Sequence, residues 1–487
     1  MKRSLTVIFA LMFCGFAPSS FAQDSQPAQP QQYKYPFQNP NLAPDKRVDN
    51  VLSLMTLDEK IDCLRNCGVP RLGIPNTGSS EGIHGYVSHP NPERGREAIT
   101  TTQFPQPPGM GATWDPALVE KAGHVEGYEA RFISQTPKYH RHSLVLWGPQ
   151  VNLARDVRWG RLEEVYGEDP FFVGTMGVAF IHGLQGNNPK YIMTASLMKH
   201  FVGYSREDGR ASAYVNFDQR NFWEYYSVPF RMGFLDGGAK GLMASYNAYD
   251  GKPMDINPIL RSLVIDKWGG KLISTDGGAV HLMVQQFKIF PDQKAAVLAC
   301  LKAGINQFLD TYKPETKELI QEGKFTESEL DDLVRPKLQV SLELGLLDPP
   351  DMVPYSKIKD SPEPWNTDED RAVSKQMALE SIVLLKNAKS FLPLKKDSLK
   401  SIAVIGPLAD VVQWDWYGGT PPYKITPLDG IKTAVGPNVK VNYASDNTNG
   451  EAVEAAKESD VALVFVGNTE PMCGKTKGVW LPDSSTP

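Results

Sequence analysis

From about position 45 the chain alternates between helix-patterned segments and short apolar runs. The helical pattern predicts helices over 45–53, 56–64, 116–133, 170–184 and 219–236. The second has Thr56 as N-cap and Glu59 three residues on, which is a capping box. Between them, short runs rich in β-branched and aromatic residues predict strands at 144–147, 192–197, 241–245, 272–275 and 305–309. Alternation of this kind over about 300 residues predicts a (β/α)8 TIM-like barrel with long loops, spanning 45–347. A doubly wound sheet is the alternative, but no G-x-G-x-x-G follows any strand. A Pro-rich polar stretch, 348–364, predicts a linker reaching to 367. A helix at 368–387 and strands at 401–405, 439–443 and 461–466 then predict a second α/β sandwich domain, 368–487. That domain reads as incomplete, because the chain stops at Pro487 in a polar, proline-containing tail soon after a strand.

The strand ends carry the chemistry. Asp276 closes the run KLIST and is followed by Gly277 and Gly278. A carboxylate at a strand's C-terminal end, with two residues lacking side chains behind it, is open to a bulky polar substrate. The bland reading of Asp276 is a helix N-cap. Stretches 79–84, 152–161, 196–200 and 245–247 share the layout of a strand running into polar residues. Together they predict one rim with a carboxylate, cations and hydrogen-bonding groups, and no metal motif. That combination suits sugar chemistry. Arg161 offers a planar fork, and Glu164 three residues on is placed to clamp it. Arg155, Asp156 and Arg158 read as a structural ion-pair network, with Trp159 packed beneath. Lys199 and His200 are adjacent, and adjacent strand residues point to opposite faces. Both reaching one ligand requires a cis or strongly distorted peptide at Lys199–His200 or His200–Phe201.

The composition adds the compartment. The chain has 487 residues, 41% hydrophobic and 22% charged, enough for two or three domains. Lys2 and Arg3, an apolar run over 5–16 and the small-x-small triplet Ser20-Phe21-Ala22 predict a signal peptide, 1–22, and export to the periplasm or beyond. The Gln- and Pro-rich stretch that follows predicts a flexible leader, 23–44. No later segment is apolar enough to anchor the chain in a membrane. Loss of Lys2 and Arg3 takes the net charge from −5 to −7, which disfavours nucleic acid as a partner. Four cysteines remain: Cys63, Cys67, Cys300 and Cys473. Cys63 and Cys67, spaced i, i+4, either pair in an oxidising compartment or stay as thiols. No paired Cys/His motif predicts zinc.

Five motifs in order complete the reading: NLARDVRWGRLEEVYGEDP at 152–170, KHF at 199–201, SYN at 245–247, STDGGA at 274–279 and ESIVLLKN at 380–387. In this combination the chain resembles glycoside hydrolase family 3, the two-domain β-glucosidases and β-xylosidases. The resemblance implies that Asp276 is the nucleophile of a retaining glycosidase, with a second carboxyl about 5–5.5 Å away as acid and then base. It implies that Lys199, His200 and Arg161 hold hydroxyls of the terminal sugar, and that Tyr246 stands beside the nucleophile. Glu81, in EGIHG, would grip the outer hydroxyls; family members acting on xylose commonly have Glu there, and those acting on glucose Asp. The family's acid/base Glu follows the strand matching 461–466. Glu470 is the one carboxyl of that type there and fits poorly. The chain therefore reads as truncated, with the acid/base expected beyond Pro487. The expected activity is release of terminal glucose or xylose from oligosaccharides or aryl glycosides, without cofactor or metal. The alternative is a carbohydrate-binding chain with little turnover.

Overall fold

In this computed structural model, residues 33–88, 90 and 97–467 are described. The expected signal peptide, residues 23–32 of the expected leader, Glu470 and Cys473 lie outside the described residues. So does Pro487, beyond which the acid/base was expected. The chain forms two α/β units. In the first, β1 (Ser79–Glu81), β2 (Val145–Trp147), β3 (Ala195–Phe201), β5 (Gly241–Ala244) and β8 (Leu272–Ser274) make a five-stranded sheet in the order β1-β2-β3-β5-β8. Every pair in it is parallel. Spatial order follows chain order, and each crossover carries a helix, among them Pro116–Gln135, Pro170–Gln185 and Val228–Leu235. Helices on a parallel sheet bury its strands, and β3, β5 and β8 are buried along their whole length. A separate small sheet holds β4 (Tyr214–Val215), β6 (Ala248–Tyr249) and β7 (Lys252–Pro253).

The expected capping box is present: Thr56 Oγ1 accepts from the Glu59 N–H, and Glu59 Oε2 from the Thr56 N–H. The structure departs from the pattern at three places. The helix expected over 219–236 is broken into Gln219–Asn221, a π-turn at Phe222–Tyr226, and Val228–Leu235. Pro229 has no N–H to give to the turn before it, so the ladder shifts by one residue and Ser227 N–H bonds Phe222 C=O. The strand expected at 305–309 is only a bridge between Ser274 and Gln307. Beside the backbone bonds of Asn306, Gln307 and Thr275 there, the Asn306 side chain accepts from the Ile273 N–H and donates to Lys271 C=O. The helix expected over 368–387 ends at Glu380. Beyond Ser381, the β-branched Ile382 and Val383 leave the helix in favour of irregular chain, exposed at 75% and 58%.

The 348–364 stretch lies against the first unit. Asp348 pairs with buried Arg47 at 2.6 Å and accepts from Tyr191 Oη at 2.7 Å. Ile358 packs with Phe132 and Met193. In the second unit β9 (Ser401–Ile405), β10 (Lys440–Ala444) and β11 (Val461–Val464) form a parallel sheet in the order β10-β9-β11. Cys63 and Cys67 are buried with their Sγ atoms 2.8 Å apart. Among the described residues, no helix is long and apolar enough to cross a membrane.

Candidate active site

The C-terminal ends of β1, β3, β5 and β8 bring the rim residues together. Asp276 follows β8. Its Oδ1 accepts only the adjacent Gly277 N–H, at 2.7 Å, among the hydrogen bonds described for it. The next helix, Ala279–Gln285, has Gly278 as its N-cap and no side-chain cap. Asp276 is therefore not a capping residue, and its side chain keeps 14% exposure at the strand end. His200 Nε2 stands 3.4 Å from Asp276 Oδ2. The Lys199–His200 peptide, one of the two places where a cis or distorted peptide was expected, is cis, as is Phe201–Val202. Asn152 holds the bend from the next strand end: its Oδ1 accepts from the His200 N–H and its Nδ2 donates to His200 C=O, both at 2.9 Å.

Lys199 is buried and donates to Glu81 Oε2 at 2.5 Å. Glu81 keeps 19% side-chain exposure, so this pair sits at the pocket wall rather than in the core. Arg161 is buried within a set of acceptors. Glu164 clamps it with both oxygens, each at 2.7 Å, as the i, i+3 spacing predicts. Tyr204 Oη accepts from its Nη1 at 3.2 Å. Tyr246 donates its hydroxyl to Gly277 C=O at 2.9 Å, beside Asp276. Asp156 and Arg158 form an exposed local pair, while Arg155 stacks on Tyr226 with 5.0 Å to the ring centre. Trp159 is buried and donates its indole N–H to Glu207.

Two opposing effects act on the Asp276 carboxyl. Burial raises Asp276 above the ordinary carboxylate range. Arg161, Arg210, the Gly277 N–H and Lys199 pull it back down. Burial also raises Glu81, and Lys199 opposes it. Behind this wall lies Glu126, fully buried, accepting from the Gly85 N–H at 2.8 Å and raised by burial to about 8. Gly85 has φ +128°, and a side chain there would lie 2.5 Å from Thr102 O.

Several site residues escaped the sequence reading. Arg210 reaches Tyr204 and Glu207 at 3.0 Å and covers the Tyr246 ring. Asp255 is a buried carboxyl raised by burial and then by the charge of Asp276. Tyr417 and Asp415 come from the loop after β9, in the second unit. Tyr417 Oη accepts from Arg161 Nη2 at 2.9 Å, and its ring lies 4.4 Å from Lys199 Nζ. The sequence signal for the pair was the aromatic and glycine cluster WDWYGG, which periodicity alone does not distinguish from a turn.

The profile of the Glycosyl hydrolase family 3 N terminal domain matches residues 50–340, and that of the Glycosyl hydrolase family 3 C-terminal domain matches 382–484. A beta-xylosidase of Formosa agariphila is 33% identical over 475 residues, covering 88% of this chain and 62% of the relative. A periplasmic beta-glucosidase of Salmonella typhimurium is 30% identical, covering 90% of this chain and 64% of the relative. Among solved structures, a GH3 exo-beta-xylosidase in complex with a xylobiose aziridine activity-based probe superposes with a TM-score of 0.79 at 29% identity, over 90% of this chain and 58% of that one. A beta-glucosidase from Listeria innocua in complex with glucose gives 0.71 at 26% identity, over 88% of this chain and 65% of that one. The chain thus spans about three fifths of the length of these relatives. With both domain profiles matched in order, the chain belongs to glycosyl hydrolase family 3.

Proposed function

We propose that this is the site of a retaining, exo-acting β-glycosidase that removes a terminal xylose or glucose from β-linked oligosaccharides or aryl glycosides. The observation that carries the reading is the surroundings of Asp276. One partly exposed carboxylate at a strand end has Arg161, Arg210 and Lys199 acting on its charge and His200 at 3.4 Å. In the first step the Asp276 carboxylate bonds to the anomeric carbon. The bond from that carbon to the leaving oxygen breaks, and its electron pair departs with that oxygen, which takes a proton from an acid. Water, deprotonated by the same group, then displaces Asp276 and restores the carboxylate. The family resemblance assigns the acid to the segment after β11. Glu470, the weak candidate there, and the chain's last residue, Pro487, both lie outside the described residues.

Lys199, His200 and Arg161 supply N–H donors for the sugar hydroxyls, and Glu81 an acceptor held in place by Lys199. The extra methylene of Glu81, relative to Asp, extends its carboxylate toward the space of a glucose hydroxymethyl and favours xylose. Five parallel strands in chain order fit the expected (β/α)8 barrel, whose strand C-termini carry the site. Export fits an enzyme acting on oligosaccharides outside the cytoplasm.

Hydrolysis of aryl β-xyloside and aryl β-glucoside tests the reading. The expected preference is for xyloside, by roughly 10–200-fold, the range one methylene of pocket shape provides. Glu81→Asp narrows it and Asp276→Asn abolishes turnover. Turnover of Asp276→Asn at the parent rate contradicts the assignment. Saturable xylose binding without any turnover supports a binding chain instead.

A further inference from the structure

The second unit reaches into the sugar site through residues 414–420. Asp415 is buried, as is His84, which follows Glu81 in the first unit by three positions. His84 Nε2 faces both Asp415 oxygens, at 3.2 and 3.3 Å, and Gln106 Nε2 donates to Asp415 Oδ2 at 2.6 Å. Two residues on, Tyr417 is 3% exposed. It accepts from Arg161 at 2.9 Å and presents its ring to Lys199 at 4.4 Å. At Gly419 the loop presses against the first unit so closely that a side chain would lie 2.6 Å from Tyr86 O. Gly419 N–H bonds Gln103 Oε1 at 2.8 Å, and Thr101 N–H bonds Thr420 C=O at 2.9 Å. The loop is thus fixed at several points around one pocket wall.

We propose that Asp415 and Tyr417 are positioning residues through which the second unit sets the sugar-binding groups of the first. The inference rests on the reading of this pocket as a sugar site. Lys199 has Glu81 at one side and the Tyr417 ring at another. Arg161 has Glu164 as its clamp and the Tyr417 hydroxyl as a further acceptor on Nη2. Asp415 orients His84, and with it the loop that carries Glu81. A long cation left without one of these partners samples other rotamers, and each such rotamer lowers the fraction of chains ready to bind. Burial raises the Tyr417 phenol, and the charges of Arg161, Glu164, Glu81 and Asp276 all act on it, so the hydroxyl lies within reach of the whole charge set. The arrangement makes affinity for the terminal sugar depend on the second unit independently of any acid it supplies.

Two measurements test this. The first is the Kd of a xylose-configured iminosugar by calorimetry on the full chain. The second is inactivation by a dinitrophenyl 2-deoxy-2-fluoro-β-xyloside, resolved into KI and a limiting rate. Tyr417→Phe keeps the ring and loses the acceptor for Arg161; Kd and KI rise on the order of tenfold, as for a hydrogen bond to a charged group. The limiting rate changes by less than about twofold, because Asp276 itself is untouched. Asp415→Ala weakens binding similarly, and Asp415→Asn, which retains an acceptor for His84, recovers most of it. Gln413→Ala, exposed on the same loop, leaves both constants at the parent value. Parent constants in Tyr417→Phe and Asp415→Ala overturn the inference, as does an equal rise in Gln413→Ala. Iminosugar binding without any covalent label in the parent contradicts the proposed chemistry but leaves this inference standing; no binding at all in the parent removes the sugar site on which both rest.

Discussion

In the proposed mechanism Asp276 must be ionised to attack, yet its burial favours the neutral acid. The cations around it oppose that effect. Arg210 is one of the two side chains that lower its pKa most. Replacing it with glutamine removes that pull, so the acid limb of the inactivation rate moves to higher pH. The pH profile of labelling in Arg210→Gln against the parent reads this directly, and an unmoved limb contradicts the role of Arg210. At this scale the sequence was informative where partners are close along the chain. Arg161 and Glu164 share one turn, and Asp276 stands at the end of a legible strand. Tyr417, 256 positions from Arg161, left no local trace of its contact. Arg210 was equally hidden, because its loop has no periodicity to place it.

Among the elements, the helix Pro116–Gln135 has a part beyond packing. It carries Glu126 and Glu129, both fully buried and raised by burial to about 8. Glu126 holds the Gly85 N–H, and Glu129 accepts from the N–H and hydroxyl of Thr102. In the unfolded chain such groups ionise near the ordinary value of 4.5. Between that value and about 8, the unfolded state has released protons that the folded state keeps. Their contribution to stability is therefore full below the lower value and is lost as pH rises to the upper one. The slope is about 1.4 kcal/mol per pH unit for each group. Chemical denaturation from pH 5 to 8 should show stability falling, and Glu126→Gln should make that fall shallower. A slope unchanged in the variant contradicts the assignment. Element types were mostly legible, because apolar runs and capping boxes are local. The exceptions have local causes that patterning does not encode. Pro229 resets the hydrogen-bond frame behind it, and the Asn306 side chain takes the Ile273 N–H that a regular ladder would pair with backbone.

At the scale of the whole molecule, two α/β units meet at the candidate site, and the family match covers both. The first unit's parallel order followed from alternation of helix and strand patterns. The contact between units did not, since residues 414–420 read locally as an aromatic, glycine-containing turn. The proposed chemistry turns on Asp276. Its most direct test is to trap the chain with a 2-deoxy-2-fluoro-β-xyloside bearing a good leaving group and map the labelled peptide. The fluorine slows both attachment and release of the sugar, and the good leaving group speeds attachment alone, so the covalent species accumulates. The predicted result is a single fluoroxylosyl group on the Asp276 carboxylate, absent from Asp276→Asn. A label on any other carboxylate, or an Asp276→Asn chain labelled like the parent, contradicts it.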